Sequence, residues 1–147
     1  MSDSQRFPVA AHVLAYLAHK DARAADSAVP SSELALSVAT NPVVVRRVTA
    51  MLARAGLIGT RRGASGGAWL MRPACEIGLD AVLRAVNGGP HAGVPRVGSK
   101  ECPVGERLPG AVQAAITAAD EAAARQLGST SVADLLAATD PASLPPA

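Results

Sequence analysis

Aromatic side chains are almost missing from this chain: Phe7, Tyr16 and Trp69 are the only three in 147 residues. A core assembled around large rings is therefore excluded. With 49% of the residues hydrophobic, the interior must come from Ala, Val and Leu, which favours closely packed helices. Cysteine is scarce as well, limited to Cys75 and Cys102. The opening residues, Met1 to Leu14, show no basic segment leading an apolar core and a small-residue cleavage site. Two thiols without an export signal point to reduced cysteines in a cytoplasm. No uninterrupted run of about eighteen apolar residues occurs, so no membrane span is expected. No internal repeat is found, and the length suits one compact domain or a small domain with a long appended helix.

Another scarcity is local. Leu34 through Cys75 contains no Asp or Glu, yet holds Arg46, Arg47, Arg54, Arg61, Arg62 and Arg72. Residues 1–72 carry nine Lys/Arg against four Asp/Glu, a balance of +5, and residues 73–147 carry five against eight, a balance of −3. The overall +2 thus conceals a basic front and a mildly acidic back. A basic patch supplies the salt-dependent attraction to phosphates on which duplex binding depends. A merely solvated helix face would alternate signs and form i,i+4 pairs.

The acid-free run has a definite form. Asn41 can cap a helix that Pro42 tolerates at its first position. Val45, Val48, Leu52 and Ala55 recur at helical spacing and predict a buried stripe, ended by Gly56 in a left-handed cap. Val43, Arg46, Arg47, Ala50 and Arg54 fall on the opposite face. Leu57 to Arg61 reads as a strand, Gly63 to Gly67 as a turn, and Ala68 to Arg72 as the returning strand. A helix followed by a glycine-tipped basic hairpin predicts a mainly α winged helix-turn-helix with a two-stranded wing. Its helix suits a DNA major groove, and its hairpin the adjacent backbone or minor groove. The predicted DNA contacts are Asn41, Val43, Arg46, Arg47 and Arg54 on the helix, and Arg61, Arg62, Gly63, Ser65, Gly66 and Gly67 in the wing. The hairpin lacks a Gly-Lys-Ser/Thr ending and leads into a strand, which argues against a nucleotide-phosphate loop.

Around this centre, Ser4 to Lys20 reads as a first helix with Val9, Val13, Leu14 and Leu17 inward and Phe7 and Tyr16 as anchors. Its His12 and His19 lie seven residues apart and suit surface or partly buried structural roles better than a metal pair. Asp21 to Pro30 reads as a polar loop, and Ser32 to Val38 as a short helix burying Leu34, Ala35 and Val38. After the wing, Cys75 is expected to pack, and Glu76-Ile77 to make a short extended step. Leu79, Val82, Leu83 and Val86 predict a helix started at Gly78. Residues 88–103 are rich in Gly and Pro and read as a mobile loop. After Pro109, Val112, Ile116, Ala119, Ala123 and Leu127 form a small-residue seam suited to a partner helix at close range. Ser131 to Leu136 reads as a closing helical turn with Leu135 and Leu136 buried, followed by a frayed tail.

With these residues placed, the chain resembles the Rrf-type winged-helix transcriptional regulators, the bacterial family that includes the iron–sulfur cluster regulator and the nitrite-sensitive repressor. The resemblance covers nearly the whole length. It rests on Phe7-Pro-Val-Ala through Leu17-Ala18, on Ser32-Glu-Leu-Ala, and on Leu52-Ala-Arg-Ala-Gly-Leu57. Its most specific part is the wing, Arg62-Gly63-x-x-Gly66-Gly67-x-x-Leu70-x-Arg72, and Ser131-Val-Ala-Asp-Leu-Leu136 resembles the family's closing motif. It implies a homodimer joined through residues 105–128. The implied organisation is a DNA-binding domain over 1–77, a helix and flexible effector or sensor loop over 78–104, and a dimerisation helix with closing segment over 105–140. The implied function is a transcriptional regulator, a repressor of a pseudo-palindromic operator, in the cytoplasm.

The departures bear on mechanism. Cluster-binding members carry three closely spaced cysteines before the dimer helix, whereas this loop has Cys102 alone, with His91 nearby. An iron–sulfur cluster takes four such ligands, so no cofactor and no metal are expected; an iron–sulfur regulator with unusual ligands is an alternative. Cys102 reads either as a buried inert thiol or as a sensor whose pKa is lowered by Lys100 and the start of the dimer helix. Ala68 stands where the family has an aromatic, leaving Trp69 as the wing's ring, packed under a neighbouring segment. Two other classes compete: a winged-helix protein-interaction module without DNA binding, and a thiol enzyme using Cys102, for which no Cys–His–acid arrangement is evident.

Overall fold

The computed structural model describes residues 5–87, 92–140 and 142. Three helices come first: α1 (Arg6–His19), α2 (Ser31–Val38) and α3 (Pro42–Arg54). Strands β1 (Ile58–Arg61) and β2 (Gly67–Leu70) follow, then α4 (Leu79–Val86), α5 (Pro103–Gly128) and α6 (Val132–Ala137). This is the predicted mainly helical winged architecture.

Small aliphatic side chains fill the interior, as the shortage of aromatics requires. Leu14 and Leu17 of α1, Leu34 of α2, Val45, Val48 and Leu52 of α3 and Val82 of α4 are fully enclosed in one cluster. Phe7 and Tyr16 pack against its edge. Tyr16 also donates to Glu33 Oε1 at 2.8 Å, and Lys20 Nζ lies 3.1 Å from the same oxygen, fastening α1 to α2. The Tyr16 hydroxyl and then Lys20 hold the Glu33 carboxyl below its ordinary pKa.

Several boundaries and environments differ from expectation. Asp21 to Pro30 is more than a polar loop: it makes a 3-10 turn at Ala25–Ser27 and buries Ala22 and Val29. Val29 exchanges two backbone hydrogen bonds of 2.9 Å with Ala68, and Leu70 N donates to Ala22 O at 2.7 Å. β2 is thereby bonded along both edges, to β1 on one and to residues 22–29 on the other. Ala55 is exposed, because it caps α3 instead of continuing its stripe, and Thr49 is buried on that helix. Gly56 does take the expected left-handed φ of 76°. Arg72 lies beyond the hairpin; the returning strand starts one residue earlier than predicted and ends at Leu70. Ala74–Glu76 form a 3-10 turn in place of an extended step at Glu76.

The long helix expected over 105–128 is α5, which starts two residues earlier, at Pro103, so that Pro109 lies inside a helix of 26 residues. Pro109 has no N–H to give the Gly105 carbonyl. The loop backbone at Gly98 runs so close to that carbonyl that no β-carbon would fit there. Residues 92–102 carry no regular helix or strand, while 88–91, including His91, lie outside the described residues. Of the expected seam, Ile116 and Leu127 are half-buried, and Val112, Ala119 and Ala123 are exposed. In α6 it is Val132 that is buried, with Leu135 and Leu136 only half-buried. A capping box joins Ser131 and Asp134, and Leu79 N to Thr130 O and Val132 N to Ile77 O, both 2.9 Å, tie this closing segment to the start of α4. No helix among the described residues is long and apolar enough to cross a membrane.

Candidate nucleic-acid interface

The site is built from α3 outward. Asn41 Oδ1 accepts the Val43 N–H at 2.8 Å and Pro42 occupies the first turn, so the helix starts where the sequence says it must. Burial of Val45, Val48 and Leu52 then fixes the rotation of the helix about its axis. Val43, Arg46, Arg47, Ala50 and Arg54 are consequently all exposed on the opposite side. Thr49 Oγ1 returns a hydrogen bond to the Arg46 carbonyl at 3.0 Å and is otherwise enclosed.

The wing turns on Gly63 and Gly66. Gly66 N donates to Gly63 O at 3.0 Å, and Gly63 adopts φ +105°, a conformation that side chains rarely allow. Gly67 lies so close to the Val29 carbonyl that a β-carbon would collide with it. The pairing Gly59–Trp69 lays the Trp69 ring over the missing side chain of Gly59, so this ring covers its own hairpin. Arg61 braces the tip: its Nη2 donates to Ser65 O at 3.1 Å and Ala25 O at 3.4 Å.

Between α3 and the wing runs a groove of about 600 Å³. Arg46, Arg61, Arg62, Gly63, Gly66 and Gly67 line it, together with the start of α2. Val43, Arg47 and Arg54 stand outside it on the exposed helix face, and Ser65 is exposed at the tip. Among the described residues no carboxylate is paired with Arg46, Arg47, Arg54 or Arg62. Arg72 lines a different cleft, beside His19 and Arg23, and does not join this surface. Ser31, Ser32 and Thr60 line the groove without having been singled out from sequence. Thr60 is part of β1 itself, and Ser31 and Ser32 reach the groove because the Val29–Ala68 bridge folds the start of α2 beside the wing; such a one-residue bridge has no repeating pattern to betray it.

The sequence profile of "Rrf2: Iron-dependent Transcriptional regulator" matches residues 3–138. The chain belongs to the Rrf2 family. Among Rrf2-like relatives, YwnA of Bacillus subtilis strain 168, described as an HTH-type transcriptional regulator, is 31% identical over 134 residues, covering 90% of this chain and 96% of its own. A crystal structure described as a DNA-binding protein superposes with a TM-score of 0.68 at 32% identity, covering 89% of this chain and 98% of that one. A described transcriptional regulator from Lactobacillus plantarum gives 0.73 at 26% identity, covering 91% and 89%. The chain is accordingly a DNA-binding transcriptional regulator of the Rrf2 family.

The Rrf2 resemblance raises an iron–sulfur cluster, and the donors here do not fit one. Cys102 stands at the head of α5, Cys75 lies after the wing, and no group of three His, Cys, Asp or Glu side chains suited to a metal occurs among the described residues. Cys75, expected to be packed, is exposed, because the 3-10 turn at Ala74–Glu76 carries it to the rim of the Arg72 cleft. Cys102 is exposed too, against the buried reading. Its Sγ accepts the Gly105 N–H at 3.5 Å as the cap of α5. The Gly105 and then the Val104 amides hold its thiol below the ordinary cysteine pKa. Lys100 is not the cause, as the sequence had suggested it would be in part. His12 and His19 are exposed, and His12 Nε2 sits 2.9 Å from Ser37 Oγ.

Proposed function

We propose that this regulator works in the cytoplasm as a homodimer that represses transcription from a pseudo-palindromic operator. The observation that carries the reading is the carboxylate-free surface shared by α3 and the wing. In each subunit Asn41, Val43, Arg46, Arg47 and Arg54 face the major groove and its flanking phosphates. Arg62 and the Gly63–Gly67 turn, with Ser65 at its tip, follow the adjacent backbone, and Arg61 both braces the turn and adds charge. The dimer is supported by α5, where Val104, Leu108 and Val112 expose apolar side chains. Two copies joined there carry two reading heads, and a two-headed protein suits a two-fold site.

The same reading assigns a signal input to Cys102. Its thiolate attacks a peroxide, forming an S–O bond as the O–O bond breaks and hydroxide leaves, and the resulting sulfenic acid changes the group that accepts the Gly105 N–H at the start of α5. The altered α5 start changes the relation between the two heads.

The test is duplex binding by the full chain across a salt series, with the mass of the free protein measured alongside. Arg62→Ala should weaken binding to all sequences and make the slope of log affinity against log salt shallower by about one unit. Unchanged affinity and slope in Arg62→Ala and Arg46→Ala together would remove the interface from this surface.

A further inference from the structure

The exposed face of α3 is chemically narrow. It offers three guanidinium groups, the two methyls of Val43 and the single methyl of Ala50. Side chains that accept and donate side by side, Asn and Gln, are what read adenine in a major groove, and carboxylates are what read the cytosine amino group. Between Leu34 and Cys75 there is no Asp, Glu or Gln. The single Asn there, Asn41, already spends its carbonyl oxygen on the Val43 amide. Arginine donates to the O6 and N7 acceptors of guanine, and an aliphatic side chain recognises the thymine methyl.

Position on the helix separates the arginines. Arg46 turns toward the wing and lines the groove there, where a phosphate strand would pass. Arg54 sits in the last turn, away from the end of the helix that enters first. Arg47 and Val43 stand outside the groove, one helical turn apart near the N-terminal end of α3, the end that contacts base edges in helix-turn-helix proteins. Val43 is 54% exposed.

With α3 entering the major groove, the reading on which this step rests, we infer that Arg47 and Val43 are the specificity-determining pair, Arg47 for a guanine and Val43 for a thymine methyl. One helical turn rises about 5.4 Å and stacked bases about 3.4 Å. The two bases therefore lie one or two steps apart in each half-site. Arg46 and Arg62 supply affinity without sequence preference.

The experiment starts from duplexes selected by the full chain out of a random-sequence pool. In the selected site, guanine is replaced by 7-deazaguanine, which lacks the N7 acceptor, and thymine by uracil, which lacks the methyl. One guanine position should lose about tenfold or more in affinity, and one thymine within two steps about fourfold. Val43→Ala should abolish the uracil effect and keep the 7-deazaguanine effect; Arg47→Ala should do the reverse. Selected sites with no fixed guanine–thymine pair, or full affinity with both analogues, would overturn the assignment while salt-sensitive duplex binding kept the interface itself intact. Failure to bind any duplex would overturn both.

Discussion

Helices α1 to α4 each enclose at least two side chains, whereas α5, the longest helix, encloses none. The first group lies in the basic part of the chain or directly behind it and shares one aliphatic cluster. α5 lies in the acidic part and touches the body mainly along α4, leaving Val104, Leu108 and Val112 outside. A helix that long with so little of its own burial draws its stability from elsewhere. The contrast teaches that α1 to α4 draw on one shared core, to which α6 adds Val132, whereas α5 adds no enclosed side chain to it.

The comparison can be broken in several places. Leu52→Ala, at a fully enclosed position of α3, should cost about 2–5 kcal/mol and appear as a lowered midpoint in chemical denaturation. Leu108→Asp changes an exposed side chain and should leave the helical signal of the monomer in place. Sedimentation should nevertheless show the dimer lost at micromolar concentration, and a dimer of undiminished mass would mean that α5 is not the covered surface. Asn41→Ala removes the cap of α3 and should cost about 1 kcal/mol, together with weaker duplex binding because the helix start frays.

The smallest effect concerns pH. Ionised Glu33 is favoured in the folded chain by the Tyr16 hydroxyl and Lys20, so its folded pKa is the lower one. Its contribution is complete above the ordinary glutamate range and is lost as the pH falls through that lowered value. Thermal unfolding followed through this acid window should show a slightly shallower decline in Glu33→Gln than in the parent, since the pair is solvent-exposed and screened.

Much of the reading head was legible in the sequence because its signals are local. An N-cap followed by Pro, a stripe at helical spacing and paired glycines between short apolar runs each act within a few residues. Val43, Arg46, Arg47, Ala50 and Arg54 therefore fall on one exposed face as the stripe requires. What was not legible depended on contacts distant in sequence. The bridge from Val29 to Ala68 brings Ser31 and Ser32 to the groove. The exposure of Cys75 likewise follows from a 3-10 turn that three residues do not announce.

The double-edged bonding of β2 has a consequence for how the protein meets its target. Because the hairpin stem is stitched to the segment that leads into α2, the gap between α3 and the wing is set when the chain folds. Little disorder then remains to be surrendered on docking.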